Sequence, residues 1–183
     1  LPHRGHLRRM TNPVEELFDV LDDEGRAIGT APRSRVHREG LWHRSVHVLV
    51  FHPDGRLLLQ KRSASKDTCP GLWDSSVGGH VGAGEDPFAS ALRETREELG
   101  IDLSPEQLAF AAEHVVDLPG DTDRERVLCW TATHAGPFAP DPVELDAVGW
   151  FTRREIDAML SRGDCTPNFR VQWDAWLRER MAH

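Results

Sequence analysis

The chain has 183 residues, of which 39% are hydrophobic and 28% are charged, and its formal net charge at pH 7 is -8. Such a chain can bury a core as one domain without disulfides or a structural metal, and its acidity excludes the basic surface that nucleic-acid binding needs. We expect residues 13–183 to form a single domain. The preceding residues 1–12 are expected to be flexible and need not be native, because Met10 offers an alternative start.

Apolar runs and cysteines indicate the cellular compartment of the protein. No run approaches about 18 apolar residues, and the basic opening LPHRGHLRRM lacks the apolar stretch of a signal peptide, so we predict neither a membrane span nor secretion. The cysteines at 69, 129 and 165 are far apart and contain no C-x-x-C pair. This pattern favours a reducing cytoplasm over a disulfide framework.

Short apolar stretches separated by turn residues predict a strand-rich first half. LFDVLDDEGRAIGT at 17–30 is typical of a hairpin about DDEG, and the Pro-Asp-Gly of HPDG separates a strand at 46–51 from another at 56–62. The following SASKDTCPGLW is predicted to be a long loop. Long ordered loops often carry function, so this loop is a candidate part of a site.

A glycine turn leads into an amphipathic helix. DSSVGGHV is predicted to be extended, after which Asp86 caps a helix with Pro87 at its first position and Gly100 at its end. Helical spacing separates a buried face from a charged one. The buried face is Phe88, Ala91, Leu92, Thr95 and Leu99, and the charged residues are Arg93, Glu94, Glu97 and Glu98. The acids are therefore expected to face an accessible site.

The second half continues with strands and closes with helices. Strands are predicted at 108–118, 126–136 and 147–151. Thr152 and Glu155 form a capping box that starts a helix, and NFRVQWDAWLRERM predicts a final amphipathic helix. Several strands with few helices between them predict an α+β fold, a mixed β-sheet sandwiched between helices in an α/β/α arrangement.

Three carboxylates crowd onto about one turn of the helix at Glu94, Glu97 and Glu98. Like charges this close repel, so a divalent cation among them is the first explanation. Their spacing suits a hard cation such as Mg²⁺, with Mn²⁺ as an alternative, while Arg93 can orient the Glu97 carboxylate. Gly79 lets its carbonyl approach the cation closely. Such a cation neutralises phosphate oxygens and activates water, which suits hydrolysis of a diphosphate bond.

The stretch 79–101 resembles the box of the Nudix hydrolase family. The family pattern is a glycine, five residues, a glutamate, seven residues and then R-E-U-x-E-E-x-G-U, where U is a bulky apolar residue. The matching positions are Gly79, Glu85, Arg93, Glu94, Glu97, Glu98, Gly100 and Ile101, with Thr95 as the one departure. The resemblance implies a Nudix-like fold and a metal held by Glu97, Glu98 and the Gly79 carbonyl. It also implies that Glu94 is a ligand or the base and that Glu85 helps the metal cluster.

A narrower resemblance links the segment from about 37 to 80 to the isopentenyl-diphosphate isomerases and their hydrolase-like relatives. The pattern R-x-x-x-K, P-G-x-W and G-H appears at Arg62, Lys66, Pro70-Gly71-Leu72-Trp73 and Gly79-His80. It implies that Arg62 and Lys66 hold the substrate diphosphate, which suits a planar guanidinium and a flexible ammonium. It also implies a metal site whose histidines match His43 and His80. A third histidine of that site falls one residue away from His37.

The residues themselves make the histidines weaker candidates than the acids. His80, beside Gly79 and near the acids, is either a site residue or an ordinary histidine. His43 and His37 are expected to be ordinary surface or strand-edge histidines. His47 and His52 have no special role in the prediction.

Three departures from the isomerase pattern favour a hydrolase. Isomerases need a cysteine where Gly78 stands and an acidic residue where an ungapped comparison puts Val127. They also commonly carry a basic residue at the position of Glu94. Glu125 falls at an acidic metal-site position, and it is either an extra ligand or base or a plain exposed strand residue.

The sequence therefore predicts a metal-dependent Nudix pyrophosphohydrolase that cleaves a nucleoside di- or triphosphate or another organic diphosphate by attack of a metal-activated water. The expected cofactor is Mg²⁺ or Mn²⁺, and the expected partner is a small-molecule diphosphate, with no nucleic acid and no membrane. The protein is expected to be a monomer or homodimer. Two alternatives stay open: an isopentenyl-diphosphate delta-isomerase and a non-catalytic Nudix-fold nucleotide-binding regulator.

Overall fold

The fold is seen in a computed structural model, which describes residues 15–66, 68–118 and 123–181. The predicted flexible segment at residues 1–12 lies outside the described residues. Within the described part of the chain, no helix combines the length and apolarity that crossing a bilayer requires.

The elements follow the predicted order, with one helix that the sequence patterns did not indicate. In chain order they are β1 Leu17–Leu21, β2 Ala27–Pro32, α1 Arg33–Glu39, β3 His43–Phe51, β4 Leu57–Arg62, β5 Trp73–Asp74, β6 Val77–His80, α2 Pro87–Leu99, a 3-10 turn Pro105–Gln107, β7 Ala109–Val116, β8 Glu125–Thr133, β9 Leu145–Phe151, α3 Arg153–Arg162 and α4 Pro167–Met181. Strands β1 and β2 form the predicted hairpin. Helix α1 was missed because Val36 is its one buried residue, so it has no periodic apolar face.

Strand β3 lies at the centre of the main sheet. It runs parallel to β8 along its whole length, pairs antiparallel with β6, and turns through HPDG into β4. Strand β7 extends the sheet beyond β8, while β4 also pairs with β5 and β9. The sheet is mixed, as predicted.

Two apolar clusters cover the two faces of this sheet. In one, Val48 and Val50 of β3 share a cluster with Leu99 of α2. In the other, Leu49 of β3 lies with residues of α3 and α4 that include Trp173. Because alternate strand residues point to opposite faces, β3 is buried on both sides, and its second half, residues 48–51, is a continuous apolar run. The predicted α/β/α arrangement is confirmed.

Helix α2 begins and ends where the sequence predicts. The Asp86 carboxylate accepts a hydrogen bond from Ala89 N at 3.3 Å, and Gly100 closes the helix with a φ of 66°. Thr95 is fully buried, and its hydroxyl donates to the Ala91 carbonyl at 2.7 Å. The helix backbone thus satisfies the hydroxyl at an apolar position.

The cap should contribute measurably to stability. We expect Asp86→Ala to lower the free energy of unfolding by about 1 kcal/mol, because Ala89 N loses its acceptor. Urea denaturation monitored by tryptophan fluorescence would measure it. Asp102→Ala is the matched control: Asp102 follows the helix and pairs on the surface with Arg96, a contact worth less than about 1 kcal/mol. Equal losses in the two variants would contradict a capping role for Asp86.

Candidate active site

Arg93 lies at the centre of the acidic cluster. Its Nε and Nη2 atoms donate to the two carboxylate oxygens of Glu85, both at 3.0 Å. Its Nη1 atom donates to Glu94 at 2.7 Å and to Glu97 at 3.1 Å, and Nη2 also donates to the His80 carbonyl at 3.3 Å. One guanidinium therefore joins α2, the glycine turn and the end of β6. The bidentate contact with Glu85, eight residues away, was not predicted from the sequence.

The acids of the cluster have unequal proton affinities. Hydrogen bonds from Arg93 lower the pKa of Glu85 to about 2. Burial raises the pKa of Glu94 despite its contact with Arg93. Burial also raises the pKa of Glu98 to about 8, although its carboxylate accepts a hydrogen bond from Gly78 N at 3.2 Å. Glu94 and Glu98 thus need additional positive charge to ionise fully, which fits a cation-binding role.

Gly79 lies directly against Glu94. A Cβ atom on Gly79 would be 2.1 Å from Glu94 Cδ, so any side chain there would displace the carboxylate. Gly79 is not among the glycines with positive φ, and the space rather than the backbone conformation requires glycine. The site therefore offers carboxylate oxygens and a main-chain carbonyl in one place, the ligand types that Mg²⁺ prefers.

Three histidines from different elements converge beside these acids. His37 of α1, His43 of β3 and His80 of β6, together with Asp123, offer ligand atoms that all lie within 4.8 Å of one another. The three histidine Nε2 atoms are buried and have no hydrogen-bond partner among the described residues. His43 Nδ1 donates to the Leu41 carbonyl at 3.0 Å, so its Nε2 carries the lone pair. This donor set suits a divalent transition metal.

Glu125 of β8 adjoins the histidines. Its Oε1 lies 3.4 Å from His80 Nε2 and 3.7 Å from His43 Nε2, and its Oε2 accepts a hydrogen bond from Asn168 at 3.0 Å. Burial opposes its ionisation, yet His80, His47 and His43 hold the pKa of Glu125 below its usual range. Glu125 is 4% exposed, so the alternative that it is a plain exposed strand residue is wrong.

The expectation that His43 is an ordinary surface or strand-edge histidine is wrong, whereas His37 on α1 keeps part of its side chain exposed. His43 is fully buried, and burial lowers its pKa. Burial, with the nearby His80 and His43, lowers the pKa of His37 to about 4. Both rings are therefore neutral near pH 7, the form that binds a metal. The helix α1, which was not predicted, brings His37 beside His43 and His80 despite its one-residue offset.

Arg62 and Lys66 line a cleft of about 800 Å³, which is also lined by Glu94, Glu97, Glu98, His37 and His80. Arg62 Nε donates to the Thr68 carbonyl at 3.0 Å, and its Nη1 lies 3.7 Å from Asp74 Oδ2. Lys66 pairs with Glu144. An incoming diphosphate would compete with these carboxylates for the two cations.

A mixed sheet between helices, with a glutamate-bearing helix opening onto a cleft that Arg62 and Lys66 also line, is typical of proteins that act on phosphate anhydrides. The sequence profile of the NUDIX domain matches residues 41–169. The chain belongs to the Nudix family, and it is a hydrolase acting on phosphorus-containing anhydrides.

Individual relatives agree with this assignment. An uncharacterized Nudix hydrolase of Yersinia pestis is 35% identical over 170 residues, which are 90% of this chain and 87% of that protein. An isopentenyl-diphosphate Delta-isomerase of Streptomyces griseus is 36% identical over 164 residues, 87% of this chain and 82% of that one. The crystal structure of DR0079 from Deinococcus radiodurans has a TM-score of 0.69 at 24% identity and covers 82% of this chain and 92% of its own, a likeness of fold. The predicted family and its isomerase-like branch are confirmed.

The raised pKa of Glu98 predicts a pH-dependent stability in EDTA. The carboxyl has an ordinary pKa of 4.5 in the unfolded chain and about 8 in the folded one. Protonated Glu98 therefore stabilises the folded state fully below the pKa of the unfolded chain, and this stabilisation is lost as the pH rises through the pKa of the folded protein. Between pH 7 and pH 9 we expect the free energy of unfolding to fall by roughly 1 kcal/mol from this group.

Chemical denaturation of wild type and Glu98→Gln at both pH values isolates the effect, because both proteins contain the same histidines. His37 and His114, whose folded pKa values are lowered to about 4 by burial, change stability mainly below pH 7 and equally in both. The same pH dependence in Glu98→Gln as in wild type would contradict the assignment to Glu98.

Proposed function

We propose that the protein is a metal-dependent pyrophosphohydrolase that cleaves a diphosphate bond in a nucleoside di- or triphosphate or another organic diphosphate. The observation that carries the proposal is the full set of box acids around Gly79, opening onto the cleft that Arg62 and Lys66 line. The residues proposed to hold Mg²⁺ or Mn²⁺ are Gly79, Glu94, Glu97 and Glu98, with Glu85 in support. When bound, the cation would neutralise phosphate oxygens and lower the pKa of water.

The protein side chains supply the remaining chemistry. Glu94 is the proposed general base, because burial raises its pKa and its carboxylate therefore binds the proton taken from water more strongly than an exposed glutamate would. Arg93 orients Glu94 and Glu97 through the hydrogen bonds of its Nη1 atom. Arg62 and Lys66 are proposed to hold the substrate diphosphate, one by paired hydrogen bonds and one as a point charge.

A second cation is proposed at the histidine group. Its ligands would be His37, His43, His80 and Asp123, with Glu125 beside them. The buried, unpartnered Nε2 atoms support this proposal, because such atoms are costly unless something binds them. Imidazoles with carboxylates suit Mn²⁺, Zn²⁺ or Co²⁺, whereas the box acids suit Mg²⁺.

Isomerisation of isopentenyl diphosphate is the second candidate function. The histidine group and the isomerase of Streptomyces griseus at 36% identity favour it. Against it stand Gly78, which has no thiol, and Val127, which is fully buried and has no carboxylate. A regulator that binds a nucleotide without turning it over is disfavoured by the intact box acids, which binding alone would not need.

The proposed setting is the reducing cytoplasm, with the protein acting alone or as a homodimer on a small-molecule diphosphate. Its support is that none of Cys69, Cys129 and Cys165 forms a disulfide in the described residues. The acidic net charge of -8 argues against a nucleic-acid partner.

Removing one box acid should abolish hydrolysis. Phosphorus NMR with Mg²⁺ would follow a panel of nucleoside diphosphates, nucleoside triphosphates and isopentenyl diphosphate. We expect wild type to cleave at least one of them, and Glu97→Gln to lower that rate by roughly 100-fold or more. Glu106→Gln, on the exposed 3-10 turn, is the control and should keep the wild-type rate.

The same spectra separate the candidate functions. Conversion of isopentenyl diphosphate to dimethylallyl diphosphate without hydrolysis of any panel member would overturn the hydrolase in favour of the isomerase. Binding of a nucleotide with no turnover, in wild type and Glu97→Gln alike, would favour the regulator.

The histidine group is testable by metal binding alone. We expect His37→Ala to weaken Co²⁺ binding at least about 10-fold in an absorption titration, because one imidazole ligand is lost. His52→Ala is the control, since its side chain is 26% exposed against 32% for His37 and lies next to Asp54, away from the cleft. Unchanged Co²⁺ affinity in His37→Ala would exclude the proposed second site.

A further inference from the structure

His47 of β3 is a polar residue of the cleft that the proposed chemistry leaves unused. It is 6% exposed and lies opposite Gly78 in the pairing of β3 with β6. A Cβ atom on Gly78 would lie 3.2 Å from His47 Nε2. Gly78 has no positive φ, so its backbone would accept other residues. What glycine provides here is an open path from the cleft to His47 Nε2.

A buried hydrogen-bond chain determines which ring nitrogen of His47 carries the proton. The Cys129 thiol donates to the Trp130 carbonyl at 3.7 Å, so its sulfur accepts from Gln172 Nε2 at 3.1 Å. The Gln172 amide is thereby oriented with its oxygen toward His47 Nδ1, at 3.1 Å. Because an amide oxygen only accepts, His47 Nδ1 must be the donor.

Ser75 requires the same tautomer. Its hydroxyl donates to the Val77 carbonyl at 3.2 Å, and the hydroxyl oxygen lies 3.3 Å from His47 Nδ1, where it accepts. In this tautomer the unshared electron pair of the ring is at Nε2. Among the described residues, no side chain or main-chain group donates to that atom.

His47 Nε2 lies beside both groups of residues that are proposed to bind cations. Gly78 N donates to Glu98 at 3.2 Å, and the next residue is Gly79. Gly78 and His80 are two residues apart on β6, so they face the same side of the sheet at a spacing of roughly 7 Å. A small group above Gly78 would therefore sit within the cleft, next to the proposed reaction centre.

We propose that His47 Nε2 accepts a hydrogen bond from an O–H group held above Gly78. The O–H belongs either to the organic part of the substrate or to a water molecule of the reaction, and the same acceptor serves both. This inference rests on the proposed function for the identity of the cleft, while the tautomer of His47 does not. An alkyl group in this place would leave the buried nitrogen without a partner, which is unfavourable.

Imidazole NMR tests the inference independently of turnover. Two-bond ¹H–¹⁵N spectra of wild type, with His47 assigned by comparison with His47→Gln, should show the Nδ1–H tautomer. With Mg²⁺, α,β-methylene-ADP should shift the Nε2 resonance in the direction of hydrogen-bond acceptance. Methylenediphosphonate, which has no hydroxyl on an organic group, should do so as well only if the donor is water. An Nε2–H tautomer, or an Nε2 resonance that neither probe moves, would overturn the proposal.

Two substitutions separate this role from a structural one. His47→Asn keeps an amide near Nδ1 for Gln172 and Ser75, whereas His47→Gln places an amide oxygen near Nε2. We expect His47→Asn to lower kcat/KM about tenfold on the diphosphate that wild type cleaves fastest, and His47→Gln to stay within about threefold. A purely structural histidine predicts the opposite order, because only the Asn variant keeps the buried contacts.

Kinetic constants identify the source of the O–H group. A loss expressed as a higher KM indicates a substrate hydroxyl, and a loss in kcat indicates water. If both His47 variants fail to fold, Gly78→Ala places a methyl group 3.2 Å from Nε2, close enough to move the ring by a few tenths of an ångström, while no residue of the buried chain is substituted. It should lower kcat/KM about tenfold, and wild-type kinetics in Gly78→Ala would overturn the proposal. Failure of wild type to cleave any diphosphate would count against the proposed function, and the NMR result would still decide the role of His47.

Discussion

The arrangement of the site depends on the hydrogen bonds of the Arg93 guanidinium. Carboxylates as close as Glu85, Glu94 and Glu97 repel one another, and Arg93 compensates them with donors at 2.7 to 3.1 Å. The same group donates to the His80 carbonyl, so it links the acidic helix to the strand that carries Gly79. A guanidinium suits this task because it is permanently charged and presents five donors in one plane. Loss of that charge would leave several partly buried carboxylates without compensation, which is strongly unfavourable.

Strand β3 joins the site to the core along one face. Its odd-numbered residues change character along the strand, from the buried polar side chains of His43, Ser45 and His47 to Leu49, which packs in the cluster formed with α3 and α4. The parallel partner strand β8 repeats the change, since Glu125 lies opposite His43 and Cys129 lies opposite His47. The strands that stabilise the fold therefore also hold the polar residues in register. A slip of one residue would turn these side chains to the other face of the sheet.

Most of the fold was predictable because its signals are local. The apolar run of β3, the HPDG turn and the caps of α2 each depend on residues close in sequence. Helix α1 lacks such a signal, because only Val36 of its seven residues is buried. This omission carried over to the site, since α1 supplies His37. The contact of Arg93 with Glu85 was likewise unpredicted, because it spans the glycine turn rather than one helical turn.

The sequence by itself determined the family, the α/β/α architecture and the acids of the Nudix box, because the box is one continuous stretch whose helical spacing places its carboxylates together. Only the tertiary structure decided that His37, His43 and His80 meet Asp123 and Glu125, since these residues come from separate parts of the chain. It alone also decided the tautomer of His47, which depends on Gln172, 125 residues away. Spacing along one helix is a property of the sequence, whereas convergence between elements exists only once packing has set their distances.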